Sequence, residues 1–297
     1  MAAPTTEQRN PASGNLDRLS TADLVALINR EDQTVPLAVR AVLPQVAEAV
    51  DAVVDRFRKG GRLLYVGSGT SGRLGLLDAV ECPPTFGVPP DRVQGILAGG
   101  VNAVFRAVEK AEDDREAGAR DLRERGCRSV DSVLGISASG RTPYVLGALD
   151  CARSMGALTV GLTSNRGSAL AAAAQIAIVP ATGPEVVTGS TRMKAGTAQK
   201  LILNTISTAV MVRMGYVLGN LMVKVQPTNA KLIERGRRIV SEAANCGLDE
   251  AAAALEAAGN DVRVAILIMK HGFDASGAQR HLAEAGDSLW QALESSP

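Results

Sequence analysis

Aromatic residues are scarce: Phe, Trp and Tyr together make up 3% of the 297 residues. So few ring faces give little to stack bases on. With 32 Lys+Arg against 31 Asp+Glu the formal net charge is +1, which supplies no field to hold a polyanion. No nucleic-acid partner is therefore expected. Histidine is nearly missing as well, with only His271 and His281, both in the last tenth of the chain. Acid/base chemistry in the central region must then fall to carboxylates, lysines or hydroxyls, and a Ser-His-Asp hydrolase is disfavoured. Cys82, Cys127, Cys151 and Cys246 stand apart with no Cys-x-x-Cys pair, which suggests neither a zinc site nor a disulfide framework but reduced thiols. The longest apolar-looking region, Leu201 to Val223, is interrupted by Asn204, Thr205, Arg213 and Asn220 and reads as a buried helix, not a bilayer span. The opening MAAPTTEQRNPASGN lacks the charged and apolar blocks of a secretion signal. A cytoplasmic, enzyme-sized chain with no membrane partner is the expectation.

What the chain does have is core-forming material, 46% hydrophobic residues, arranged with two periods. Ser20 caps a helical pattern from Ala22 to Asn29, and Val35 to Phe57 repeats apolar residues at three and four. Then come short apolar runs at Arg62 to Val66, Val93 to Leu97, Ser132 to Ile136, Leu158 to Thr163 and Ile176 to Pro180. Helical stretches, among them Gly72 to Val80, Val101 to Arg125 and Thr142 to Met155, separate most of them. Alternation of this kind predicts an α/β fold, a doubly wound five-stranded parallel sheet covered on both faces. A long, nearly uncharged helix follows from Lys194 to Met214. After Gly219 the composition shifts to Ala, Glu and Arg punctuated by glycines, and Val264 to Met269 is better read as a buried helix than as a strand. The expected organisation is an N-terminal helical segment (1–52), a ligand-binding catalytic domain (53–220) and a small helical domain (221–297).

Gly67-Ser-Gly-Thr-Ser-Gly72 follows the first strand and opens a helix, where bare amides and the helix dipole favour an anion. It matches G-x-G-x-x-G, but the second strand runs into Ala98-Gly-Gly-Val101 where a dinucleotide fold wants an acidic residue. As an ATPase loop it fails too, with Arg73 and Leu74 where Lys and a hydroxyl should stand. What remains is either a capped glycine turn or a hydroxyl-rich cradle in which Ser68, Thr70 and Ser71 bond phosphate oxygens. Ser137-Ala-Ser-Gly-Arg-Thr142 is a second such cluster, again between strand and helix. In a doubly wound sheet, loops after neighbouring strands converge beyond their carboxyl ends, so one phosphate monoester fits both.

Strand-GSGTS-helix and strand-SASGRT-helix resemble the paired phosphate loops of sugar isomerase (SIS) domains, flavodoxin-like sheets that hold a phosphosugar. Three further segments are more particular: Leu76-Leu-Asp-Ala-Val-Glu-Cys-Pro-Pro-Thr-Phe-Gly87, Ala111-Glu-Asp-Asp-Arg-Glu116, and Glu185-Val-Val-Thr-Gly-Ser-Thr-Arg-Met-Lys-Ala-Gly-Thr-Ala-Gln-Lys200. They resemble the N-acetylmuramic acid 6-phosphate etherases, bacterial lyases of cell-wall sugar recycling, from about Leu16 to Asn229. The resemblance implies that Glu81 is the general acid and Glu112 the second catalytic carboxylate. It implies Ser71, Ser137, Ser139 and Thr142 as phosphate ligands, no metal or organic cofactor, a phosphosugar substrate, and a homodimer with its active site near the subunit interface.

The chemistry so implied suits two carboxylates. An aldehyde at C1 of the open-chain sugar makes the C2 proton removable and puts the C3 ether in the beta position. Elimination then needs a base at C2 and an acid at the ether oxygen. Glu81 is expected to be buried, since desolvation keeps a carboxyl protonated, and the following Pro83 and Pro84 offer no amide donors to an ionised form. Glu112 by its sequence setting alone reads as part of a solvated acidic face. Glu185 is either the C2 base, as the related isomerase domains suggest, or an anchor whose carboxylate accepts backbone amides ahead of the long helix. Arg192 and Lys194 are candidate contacts to the sugar or its lactyl carboxylate. The competing readings are a non-catalytic phosphosugar sensor and an aldose-ketose isomerase.

Overall fold

The computed structural model describes residues 4–225 and 230–295, apart from the side chain of residue 109. The extremes of the expected terminal segments, and positions 226–229 where the family resemblance ends, lie outside the described residues. The elements follow in the order α1 (Thr21–Asp32), α2 (Val35–Arg40), α3 (Leu43–Arg58), β1 (Leu63–Gly67), α4 (Gly69–Phe86), β2 (Val93–Leu97), α5 (Asn102–Phe105), α6 (Arg115–Glu124), β3 (Ser132–Ile136), α7 (Pro143–Ser154), β4 (Leu158–Leu162), α8 (Ala169–Ala173), β5 (Ile176–Ile178) and α9 (Lys194–Arg213). Five helices close the described chain: α10 (Ala230–Ala244), α11 (Leu248–Ala257), α12 (Val262–His271), α13 (Ala275–Glu284) and α14 (Leu289–Glu294). The chain forms two compact units. One holds the residues up to Val80 with Asp91–Ser207; the other holds Glu81–Pro90 with the residues from Thr208 onward.

In the first unit the five strands form one parallel sheet in the order β2-β1-β3-β4-β5. This is the doubly wound arrangement expected, with its change of winding direction between β1 and β3. Strands β1, β3 and β4 are buried at every position, which is why each reads as an apolar run without polar alternation. On one face Leu64, Val66 and Val133 pack against Tyr144, Val145 and Leu149 of α7. The helix α3 packs on β4 and β5. Its Val46, Val50, Val53, Val54 and Phe57 are buried, each contributing on the order of 1.5–3 kcal/mol of hydrophobic stabilisation.

Several helix boundaries differ from the sequence expectation. The pattern from Val35 to Phe57 is two helices, broken at Ala41–Val42 with Pro44 in the first turn of α3. Val101 to Arg125 is not one helix but α5, a single 3-10 turn at Glu109–Glu112, and α6, whose start is fixed by Asp114 accepting the Ala117 amide at 2.8 Å. The helix expected to end at Val80 continues through Pro83 and Pro84 to Phe86. Two ring nitrogens forgo their bonds there, yet Gly87 N–H donates to Pro83 O at 2.9 Å and closes the last turn. The apolar stretch to Val223 is helical only to Arg213, with Gly215 at φ +79° ending it.

The second unit is helical, as expected of the tail. Val262–His271 is helix rather than strand, capped by Asp261, which accepts the Arg263 and Val264 amides, and closed by left-handed Gly272. Val240, Leu255, Val264, Ile266, Leu267 and Leu289 build its core. The two histidines meet in this unit, His271 and His281 ring centroids lying 5.8 Å apart beside Phe273. No helix among the described residues is long and apolar enough to cross a membrane.

Candidate functional site

Gly67 of β1 is register partner to Ile136 of β3, so the next residues, Ser68 and Ser137, leave the sheet at the same level from adjacent strands. The two hydroxyl-rich loops are thus neighbours at the carboxyl edge, where the winding reverses. In the first loop a Cβ on Gly67 would lie 2.6 Å from Gly72 N, and one on Gly72 2.6 Å from Gly67 O. Only glycine at both ends lets the strand pass that tightly into α4. The opening turn of α4 leaves amides without intrahelical acceptors, and Ser71 is buried within it while Ser68 and Thr70 are half-buried.

The second loop is organised by its own hydroxyls. Ser137 Oγ lies 2.8 Å from Thr142 Oγ1 and 3.4 Å from Ser139 Oγ. The Gly140 amide donates to Ser137 Oγ at 3.0 Å, and the Arg141 amide to Ser139 Oγ at 3.3 Å. Gly140 takes φ +66°, and a Cβ there would run into Ser168. Thr142 precedes α7 without side-chain capping of its amides. Three hydroxyls and a bare helix start therefore converge, a donor set of the kind that suits a dianion without a cationic clamp.

Glu112 is exposed and sits in the 3-10 turn, and Ser68 Oγ donates to its Oε2 at 3.3 Å. The carboxylate is thus tied to the first loop and not spread along a solvated helix face. The guanidinium of Arg73 steadies the chain leading to that turn, donating to the carbonyls of Ala103 at 3.0 Å, Val104 at 3.1 Å and Arg106 at 3.2 Å. Glu81 is exposed, against the burial expected for it, and belongs to the segment that clusters with the C-terminal helices.

Of the two readings of Glu185 the geometry favours the anchor. It is fully buried, and its two oxygens accept the Lys194 amide at 2.9 Å and the Ala195 amide at 3.0 Å, satisfying the start of α9. Lys194 is engaged as well: its Nζ lies 2.7 Å from Glu31 Oε2, with the lysine side chain 4% exposed. That pairing holds the Glu31 carboxyl below its ordinary range. Arg192 is exposed.

Two clusters had no signature in the sequence. Asp78, buried on α4, accepts from Tyr65 Oη of β1 at 2.7 Å, and from Asn204 Nδ2 at 2.6 Å and Ser207 Oγ at 3.0 Å of α9, joining both helices to the sheet. Asn165, just beyond β4, bonds both to the second loop and to the N-terminal arm. Asp78 is an acid among apolar helix residues and Asn165 one polar residue in a polar loop, and only the position on the fold reveals the role of either.

Among solved structures, the chain is similar to an E. coli CFT073 protein solved as a ligand complex, at TM-score 0.51 and 19% identity over 68% of this chain and 97% of that one. It is similar also to phosphoheptose isomerase GmhA from Neisseria gonorrhoeae, at TM-score 0.50 and 17% identity over 64% of this chain and 99% of the other. Residues 45–153 match the family described as the glucokinase regulatory protein N-terminal SIS domain. Sheet order, paired loops and these likenesses define an SIS-domain protein. Over nearly its whole length the chain is similar to N-acetylmuramic acid 6-phosphate etherases. That of Pasteurella multocida Pm70 is 54% identical over 98% of this chain and 97% of the relative, and that of Aliivibrio fischeri MJ11 is 53% identical over 99% and 98%. The chain belongs to the N-acetylmuramic acid 6-phosphate etherase family.

Proposed function

We propose that this chain is a lyase that cleaves the C3 lactyl ether of N-acetylmuramic acid 6-phosphate, giving N-acetylglucosamine 6-phosphate and D-lactate in amino-sugar recycling. The observation that carries the reading is the adjacency of two hydroxyl loops at the β1/β3 edge with Glu112 hydrogen-bonded to one of them, in a chain 54% identical to etherases along almost all of its length. Ser71, Ser137, Ser139 and Thr142 hold the 6-phosphate. In the open-chain sugar a base takes the C2 proton, the electron pair moves into the C2–C3 bond, and the C3–O bond breaks. Lactate leaves with a proton delivered by Glu81, a role that rests on the etherase resemblance and not on burial, since its side chain is exposed. Water then adds across the double bond, its hydroxyl to C3 and a proton to C2, so that one water is consumed per turnover. Glu112 serves the proton movements on the C2 side or the attacking water, and its bond from Ser68 sets its orientation.

The enzyme works in the cytoplasm as a homodimer on this reading. The exposed Val101, ahead of α5, and Phe105, its last residue, supply apolar surface for a partner copy. Incubation of the purified protein with N-acetylmuramic acid 6-phosphate and assay of D-lactate is the test. Lactate at stoichiometric yield supports the lyase, ketose formation would mean an isomerase, and binding without turnover would mean a sensor. Glu81→Gln is expected to stop lactate release while the folded chain still binds phosphate; near-native turnover would remove it as the acid.

A further inference from the structure

The carbonyl of Ala138, inside the second loop, is held from outside the loop by three donors. Thr163 Oγ1 approaches at 3.2 Å, the Ser164 amide at 3.1 Å and Asn165 Nδ2 at 2.9 Å. Asn165 is 4% exposed and is itself oriented by the N-terminal arm: its Oδ1 accepts the Thr6 amide at 3.3 Å and its Nδ2 also donates to Thr6 Oγ1 at 2.9 Å, Thr6 being 1% exposed. The assignment of the amide is forced, because the Ala138 carbonyl only accepts and the Thr6 N–H only donates. The arm is fastened further along by Asn10, which bonds Glu31 Oε2 at 2.7 Å, and by Ser13 Oγ, which donates to Val186 O at 2.7 Å.

A trans peptide carries its carbonyl and the next N–H on opposite sides, and no cis bond occurs among the described residues. Fixing Ala138 O toward Asn165 therefore turns the Ser139 N–H the other way. We propose that Asn165 and the arm residue Thr6 are positioning residues, which lock the Ala138–Ser139 peptide so that the Ser139 amide joins the loop hydroxyls as a donor to the substrate's phosphate. The inference rests on the phosphate-binding reading of this loop. It makes the N-terminal arm part of the binding site although no arm residue touches the ligand. The free-energy logic is preorganisation: a peptide already turned before the anion arrives need not be reordered by it.

The test compares wild type, Asn165→Ala, Thr6→Val and Ser137→Ala in three measurements: calorimetric titration with inorganic phosphate, steady-state release of D-lactate, and the amide resonance of Ser139 in 15N-labelled protein on adding phosphate. Thr6→Val keeps the shape of the arm residue and serves if Asn165→Ala fails to fold. Both positioning variants are expected to weaken phosphate and raise KM about tenfold with kcat within about twofold, the loss of one well-aimed bond to a charged group. The phosphate-induced shift of the Ser139 amide is expected in wild type and lost in the variants. Unchanged KM and phosphate affinity in folded variants, or a Ser139 resonance indifferent to phosphate in wild type, would overturn the proposal. If Ser137→Ala weakens phosphate while Thr6→Val does not, the site stands and only the positioning role falls. If wild type and Ser137→Ala respond alike to phosphate, the site itself falls and takes this inference with it.

Discussion

Ser68 Oγ donates to Glu112 Oε2 across 3.3 Å, joining the loop that follows β1 to a carboxylate 44 positions later in the chain. On the proposed reading, the loop that helps hold the phosphate and the carboxylate that serves proton transfer are thereby linked through one hydroxyl. Ser68→Ala releases the carboxylate without removing it, so kcat for lactate release is expected to fall about tenfold with KM nearly unchanged, whereas Glu112→Gln falls by about a hundredfold or more. Equal kcat in Ser68→Ala and wild type would show that the contact does not orient Glu112.

Ser137 sits at the centre of the second loop, 4% exposed, touching Thr142 and Ser139 and accepting the Gly140 amide. On the proposed reading its loss removes a phosphate ligand and loosens the loop around it. For Ser137→Ala the KM of the sugar phosphate is expected to rise about tenfold or more, and inorganic phosphate to become a correspondingly weaker competitive inhibitor. Phosphate inhibiting the variant as well as wild type would place the anion elsewhere.

The sheet is legible in the sequence because parallel strands covered on both faces are written mostly in apolar residues, and Val93–Leu97, despite its half-buried Gln94, and Ser132–Ile136 begin and end where the sequence pattern places them. The loops are legible because a strand that turns straight into a helix leaves a glycine trace, as Gly67 and Gly72 do. Contacts between distant segments leave no such trace. Lys194 pairs with Glu31 across 163 positions, and Asn165 meets Thr6 across 159. Neither has a periodic or motif signal, so Lys194 reads as a free cation and Asn165 as an ordinary loop residue. The exposure of Glu81 is equally unreadable, since two prolines after a residue describe the backbone and not the solvent around it.

Asp78 is the junction of β1, α4 and α9, accepting from Tyr65, Asn204 and Ser207 in the buried interior of the first unit. Removing the acceptor takes their shared partner from the buried Tyr65 and Ser207 hydroxyls and from the half-buried Asn204 amide. Asp78→Ala is expected to cost about 3–5 kcal/mol of stability, read as a lowered urea midpoint. A loss below about 1 kcal/mol would mean that water enters and replaces the carboxylate.

The Lys194–Glu31 pair should leave a mark on acid stability. Lys194 holds the Glu31 carboxyl below its ordinary value of 4.5 in the folded chain. The folded state therefore binds that proton less readily than the unfolded state. Its contribution is complete above about pH 4.5 and is lost as pH falls through the depressed folded value. Glu31→Gln is expected to lower stability at pH 7 by about 3 kcal/mol, because it leaves a buried ammonium without its counter-ion. The gap between variant and wild type should narrow as pH is taken from about 5 toward about 3 in a series of thermal melts. A gap constant over that range would show that Glu31 does not titrate in contact with Lys194.

Glu185 decides between two roles that predict opposite pairs of readouts. As an anchor its two oxygens satisfy the first amides of α9, at 2.9 and 3.0 Å, so Glu185→Gln turns an NH2 toward an N–H and should cost about 2–3 kcal/mol of stability. Turnover then falls only through the displaced helix start. As the base at C2 the same variant would keep its melting temperature, because glutamine fills the same space, but lose about a hundredfold or more in kcat together with deuterium exchange at C2 of the substrate. Full burial and an amide donor on each oxygen hold the carboxylate against the helix start, and the expected result is therefore a lowered melting temperature with C2 exchange retained. Loss of exchange at an unchanged melting temperature would return Glu185 to the chemistry and make its hold on α9 incidental.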